Sequence, residues 1–170
     1  MYERFTSRAC LVIELAAEIA TQRGHNQIES VDVLLGMIRE GQGVAGCVLK
    51  DHGLDHSQFD ADIVPRQSDQ ERERPVDFHH KIDSEVSELV ENARQESSWL
   101  NHNYVGTEHL LLGLCRVANS AAVKALMALD VQPGEVCKDA INLLGTGSEE
   151  WKRHHPEIDF TTGIELYIFD

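Results

Sequence analysis

The stretch GHNQIESVDVLLGM, Gly24–Met37, returns as NHNYVGTEHLLLGL, Asn101–Leu114. His25 pairs with His102 at an offset of 102 − 25 = 77, and Gly36 pairs with Gly113 at 113 − 36 = 77. Outside the two stretches the register holds. Ala45 matches Ala122 and Leu49 matches Leu126; upstream, Val12 matches Leu89 and Ala16 matches Ala93. An ungapped offset kept over most of two segments marks one structural unit present twice. We place the copies at residues 1–62 and 78–145, with a linker over 63–77 and a C-terminal tail over 146–170.

Each copy reads as helical. Phe5, Ala9, Val12, Ala16 and Ile19 recur at steps of four and three, one face of a helix. Ile82, Val86, Leu89, Ala93 and Leu100 mark the corresponding face in the second copy. Gly24 is a stop signal for the first helix, and Asn101, the other residue that tolerates a left-handed cap, stands at the same place. The next helix is expected to start at Ser30 and at Thr107, each hydroxyl accepting from an N–H of its own first turn. Asp32 and Glu108 add negative charge there, which the helix dipole favours. A third helix is expected over Val44–Asp51 and Ala121–Leu129, and a fourth over Ser57–Val64 and Pro133–Leu144. No alternating strand pattern precedes residue 160. GTGSEEWKRHHPEID, from Gly145, reads as a loop or frayed tail, and GIELYIFD at Gly163–Asp170 as a short strand without a partner. The expected fold is all-α: two tandem four-helix repeats related by a pseudo-twofold axis.

The chain has 170 residues and carries 15 Lys+Arg against 29 Asp+Glu, a formal charge of −14. Such a surface repels phosphate backbones and anionic membranes, so neither nucleic acid nor a membrane is an expected partner. Basic or hydrophobic peptides fit better. The N-terminal apolar run Ala9–Ala20 contains Glu14 and Glu18, unlike a signal-peptide core. Cys10, Cys47, Cys115 and Cys137 form no CxxC pair and read as buried thiols of a reducing compartment. A soluble, cytoplasmic protein is expected.

Motifs with chemical meaning are few. Gly41–Gly46 matches GxGxxG, but a helix rather than a strand precedes it, so a tight interhelical turn is expected instead of a dinucleotide site. There is no GxxxxGK[ST] and hence no phosphate-binding loop of an ATPase. His52 and His56, the pair His79–His80 and the pair His154–His155 read as solvated; no metal and no cofactor is expected. His25 and His102 share a repeat position, which favours a structural imidazole bonded to nearby backbone. An enzyme would draw on His102, Glu108 and His109, yet their spacing supplies no set of nucleophile, base and orienting group, and Cys115 lies six residues past His109.

The segments MYERFTSRA, GHNQIESVDVLLGMIREGQGVA and GTEHLLLGL (Gly106–Leu114) resemble the double Clp N-terminal repeat of the ClpA, ClpB and ClpC ATPases, with most similarity to the ClpC type. The resemblance covers residues 1–145. It implies a noncatalytic module that receives substrate or adaptor proteins, or an accessory subunit that docks on Clp ATPase or peptidase subunits; a small hydrolase and a self-associating structural protein are the other readings. Because no ATPase motif follows, a free-standing protein is expected. The resemblance also implies a phosphoarginine pocket in each repeat, with the glutamate of GTEH on the guanidinium and the start of the repeat's first helix on the phosphate. Here Thr6 and Arg8 remain in repeat one, but Val31 stands at the glutamate position. In repeat two Glu108 is present, while Asp83 and Glu85 stand where Thr6 and Arg8 do. Taken repeat by repeat, both pockets are degraded, and arginine and phosphoarginine are expected to bind equally poorly.

Overall fold

The computed structural model describes residues 2–56, 81–145 and 148–158. Repeat one supplies α1 (Ser7–Gln22), β1 (Gln27–Ile28), α2 (Ser30–Glu40) and α3 (Val44–Asp51). Repeat two supplies β2 (Lys81–Ile82), α4 (Ser84–Trp99), α5 (Thr107–Cys115), α6 (Ala121–Ala128) and α7 (Pro133–Leu144), and α8 (Ser148–His154) follows. The expected helix over Ser57–Val64, the linker, the His79–His80 pair and the Gly163–Asp170 strand lie outside the described residues.

Helix ends follow the residues that make them. Thr6 caps α1 by accepting from the Ala9 N–H, and Asp83, its counterpart at 83 − 6 = 77, caps α4 by accepting from the Val86 N–H. At the other end the two helices stop identically. The His25 N–H donates to the Ala20 carbonyl and Gly24 N–H to Thr21; His102 N–H donates to Ser97 and Asn101 N–H to Ser98. Gly24 at φ 78° and Asn101 at φ 58° both take the left-handed conformation that this double closure requires. Pro133 opens α7, where its missing N–H costs no hydrogen bond.

Within each repeat the first two helices pack with their backbones nearly touching. A Cβ on Gly36 would lie 2.6 Å from the Val12 carbonyl oxygen, and one on Gly113 would lie 2.6 Å from that of Leu89. Val12 and Leu89 are themselves 77 apart, so the two halves preserve the same close approach. The core joins Val12, Ala16, Met37 and Leu49 with Leu89, Ala93, Leu110 and Leu126, all fully buried.

Contacts between the repeats obey the same twofold relation. β1 pairs in parallel with β2, Ile28 opposite Ile82, and the isolated bridge Phe5–Val105 is its image (82 − 5 = 77; 105 − 28 = 77). These ladders are two residues long or shorter, too brief to leave an alternating pattern in sequence. α3 packs on α5 of the other repeat, and α6 packs on α2.

Three expectations need correction. Ser30 and Thr107 are the first helical residues, and the cap positions are Glu29 and Gly106. Their hydroxyls serve the opposite repeat: Ser30 Oγ accepts from the Ala122 N–H (3.1 Å), and Thr107 Oγ1 from the Ala45 N–H (3.3 Å). The presumed frayed tail contains α8, which buries Trp151 against α4. Its indole N–H donates to Glu96, a carboxylate buried in the helix pair and also bound by Arg116 (3.1 Å). Finally, Cys115 and Cys137 are buried, but Cys10 is only half-buried and Cys47 is exposed.

Candidate functional site

Three helix starts converge on one cleft of about 460 Å³ between the repeats. Thr6, Ser7 and Arg8 come from α1, Gln42, Gly43 and Val44 from the α2–α3 turn, and Gly106, Thr107 and Glu108 from α5. The GxGxxG segment builds the middle wall. Gly41 ends α2 at φ 67°, and Gly46 packs directly on Gly41, where a Cβ would meet its Cα at 2.5 Å. This is the tight interhelical turn expected from the sequence.

Thr6, Arg8 and Glu108 therefore share a single cleft. Taken repeat by repeat, the sequence distributes them between two pockets. The structure differs because the start of each first helix pairs with the lead-in to the other repeat's second helix: the Thr6 N–H donates to the Val105 carbonyl (2.9 Å), just ahead of Gly106. By the twofold relation, the counterparts of these cleft residues are Asp83 and Glu85 with Val31, and Glu85 reaches Ser30, next to Val31, at 2.6 Å. Sequence spacing alone could not reveal this exchange, since it depends on which repeat pairs with which.

Charge inside the cleft is divided. Arg8 is half exposed and held by the buried Glu40 (2.7 Å), which also accepts from the Gly43 N–H (2.8 Å). Arg8 further donates to Gln42 Oε1 at 3.3 Å. Opposite, Glu108 is largely buried. Burial, reinforced by this carboxylate, pushes the Tyr104 phenol above its usual range. Helix N-termini favour an anion on one side and Glu108 favours a cation on the other.

Behind Glu108, His109 is fully buried and closes the α5 start. The Gly106 N–H donates to His109 Nδ1 (2.8 Å), the role that Asp32 Oδ2 plays for the Glu29 N–H (2.8 Å) in repeat one. Since that backbone group can only donate, Nδ1 carries no proton. His109 Nε2–H therefore donates to His102 Nδ1, 2.8 Å away. Burial, reinforced by His102 and Arg4, pushes the His109 pKa down to about 3.

His102 thus bonds a second ring and stacks on Tyr104, rather than bonding backbone as expected. His25 Nδ1 lies 3.3 Å from Glu29. The ligand atoms of His102, Glu108 and His109 lie within 4.8 Å of one another, as do those of His25, Glu29 and Asp32. In the first trio both His109 nitrogens are already hydrogen-bonded, which leaves that ring no lone pair for a metal. In the second, Asp32 is taken by Arg23 (2.7 Å) and the Glu29 N–H. Neither donor set fits a metal ion.

Other expected solvated histidines are engaged. His52 bonds Asp139 across the repeats (2.8 Å), and His154 stacks on Trp99. His155 is buried against Trp151 and Glu96. Among the described residues, no helix is long and apolar enough to cross a membrane.

Comparison with known proteins agrees with this architecture. The chain is 39% identical over 154 residues to a probable ATP-dependent Clp protease ATP-binding subunit of Chlamydia pneumoniae, covering 86% of this chain and 17% of that protein. It is 34% identical over 155 residues to the chaperone protein ClpB of Oceanobacillus iheyensis, covering 88% and 18% respectively. The chain thus spans less than a fifth of these relatives' length. The crystal structure of the N-terminal domain of ClpD from Arabidopsis thaliana superposes with a TM-score of 0.67 at 22% identity, covering 85% of this chain and 97% of that one. The Clp repeat (R) N-terminal domain model matches twice, at residues 4–79 and 81–166. With both repeats matched and the pseudo-twofold packing in place, the chain belongs to the Clp repeat N-terminal domain family.

Proposed function

We propose that the chain is a noncatalytic protein-binding module of the Clp chaperone and protease system, receiving substrate or adaptor proteins in the cleft between Arg8 and Glu108. The carrying observation is that Thr6, Arg8 and Glu108 line one cleft instead of two. A carboxylate can fork with a guanidinium group, and convergent helix starts with an arginine suit a phosphate. Glu108 is the guanidinium acceptor, and Thr6 and Arg8 belong to the phosphate end. The ligand that fits is a phosphoarginine side chain displayed on a protein. An acid–base role for the histidine pair is disfavoured, because His109 spends both nitrogens on structural bonds.

Calorimetric titration tests the assignment. Phosphoarginine is expected to bind at least about tenfold more tightly than arginine, a difference of about 1.4 kcal/mol. Glu108→Ala should abolish binding of both, and Arg8→Ala should remove the preference for the phosphorylated form. Equal, weak binding of both ligands by the unmodified protein would refute the cleft's role.

A further inference from the structure

The image cleft is not empty of charge. Glu85 occupies the repeat position of Arg8 (85 − 8 = 77), and its carboxylate reaches across to the other repeat. Glu85 Oε2 accepts from the Ser30 hydroxyl at 2.6 Å and from the Ala121 N–H at 3.2 Å. Ser30 and Ala121 are the counterparts of Thr107 and Val44, both of which line the Arg8–Glu108 cleft (107 − 30 = 77; 121 − 44 = 77). A fixed carboxylate therefore sits on the donors whose images face the open cleft. The rest of the image cleft agrees. Asp83 and Glu29 add carboxylates, and burial together with Glu85 and Glu29 raises the Asp83 pKa. Val31 offers nothing to a guanidinium group.

We propose that Glu85 is a built-in anion that closes the image cleft and confines ligand binding to the Arg8–Glu108 cleft, so that the domain takes one ligand per chain. This rests on the binding reading above for what the open cleft accepts, but the closure itself is a property of Glu85, Ser30 and Ala121. Glu85 is the specificity-determining residue: it donates nothing, satisfies the Ala121 N–H and the Ser30 hydroxyl from within and repels an incoming anion. Removing it exposes the Ser30 hydroxyl and the Ala121 N–H to solvent anions.

The test uses the full chain and inorganic phosphate, followed by amide chemical shifts. In the unmodified protein, phosphate should shift Val44 and Ala45 and leave Ala121 and Ala122 unmoved. In Glu85→Ala, Ala121 and Ala122 should gain a saturable response, with apparent affinity raised about tenfold or more over the unmodified protein. Glu85→Arg, which restores the residue type of Arg8 at a partly exposed position, should respond at least as strongly and guards against misfolding of the alanine variant. With phosphoarginine, calorimetry should give one site in the unmodified protein. Ala121 and Ala122 responding already in the unmodified protein would overturn the closure, as would silence at both amides in folded Glu85→Ala and Glu85→Arg. A response at Ala121 and Ala122 in the variants with none at Val44 and Ala45 in any protein would sustain the closure and reject the binding reading of the open cleft.

Discussion

Lowering the pH from 7 to 5 should destabilise the domain through one residue, His109. Its two ring nitrogens are fixed in the neutral form: Nδ1 accepts the Gly106 N–H and Nε2–H donates to His102. A second proton would have to sit on Nδ1, where it would face the Gly106 N–H head on and break the α5 cap. The carboxylate of Glu108, 3.7 Å from Nδ1, is the nearby compensating charge, while His102 and Arg4 oppose protonation. The folded pKa of about 3 lies below the ordinary value of 6.5. Between those values the unfolded chain binds more protons, so stability rises with pH. The contribution is complete above the ordinary value and is lost as pH falls toward the folded value. At pH 5 the folded state should have lost about 2 kcal/mol relative to pH 7, and at pH 4 about 3 kcal/mol, from this group alone. Carboxylates add their own pH dependence, so the measurement is a difference. Urea unfolding at pH 7, 6 and 5 should be compared between the unmodified protein and His109→Gln. Glutamine at this helix position can still accept from the cap N–H and does not titrate. The unmodified protein should lose about 2 kcal/mol more than the variant over this range. Parallel losses, agreeing within about 0.5 kcal/mol, would refute the claim that the buried imidazole is held neutral.

Further outcomes follow from packing and charge. Gly113→Ala should cost about 1–3 kcal/mol, because the new Cβ meets the Leu89 carbonyl oxygen at 2.6 Å and the Ala93 nitrogen at 2.7 Å, both backbone; the midpoint of urea unfolding reads this. Glu96→Ala should cost about 1–3 kcal/mol by removing the buried acceptor of the Trp151 indole N–H, again seen in unfolding, while Arg116 keeps Gln95; the same change at exposed Glu149 should be neutral. Trp151→Ala should release α8 from α4 first, so hydrogen exchange should speed up at residues 148–154 before the repeats open. If the module recruits basic partners through its −14 charge, raising salt should slow their association more than it speeds dissociation, as surface plasmon resonance would show.

Much of this architecture was legible because the repeat constrains it. Gly24 and Asn101 mark a helix stop met twice, which local chemistry suffices to read, whereas Gly36 and Gly113 show only as repeat register because the backbone they approach belongs to another helix. What spacing could not supply was the exchange between halves. Ser30 and Thr107 have the right hydroxyls for capping, but the N–H groups they satisfy belong to Ala122 and Ala45 of the opposite repeat. α8 was missed for a related reason. Its six polar and charged residues surround a single Trp151, too little apolar surface to announce a helix. Its anchor, Glu96, lies 55 residues earlier, where repeat one has the apolar Ile19 (96 − 19 = 77). His154 and His155 looked solvated for want of a visible partner, and that partner is the Trp99–Glu96 face of α4.

The same exchange explains how two incomplete sets of residues leave one cleft lined by both Arg8 and Glu108. Each cleft takes the start of a first helix from one repeat and the start of a second helix from the other. Arg8 replaced by Glu85 therefore alters the image cleft alone, as does Glu108 replaced by Val31. Both changes fall in the same cleft and leave the other with its arginine and its glutamate. Had Arg8 been lost together with Val31, or Glu108 together with Glu85, each cleft would carry one defect and neither could hold a ligand charged at both ends. Under the proposed reading, the pattern of substitution separates the two clefts by role: one keeps divided charge, and in the other Glu85 is bonded to Ser30 and Ala121. That bond is itself a link between the repeats. Its loss should weaken their docking as well as open the cleft, so the phosphate response of Glu85→Ala must be read beside its unfolding midpoint. A variant that gains the response while keeping most of its stability separates the two effects.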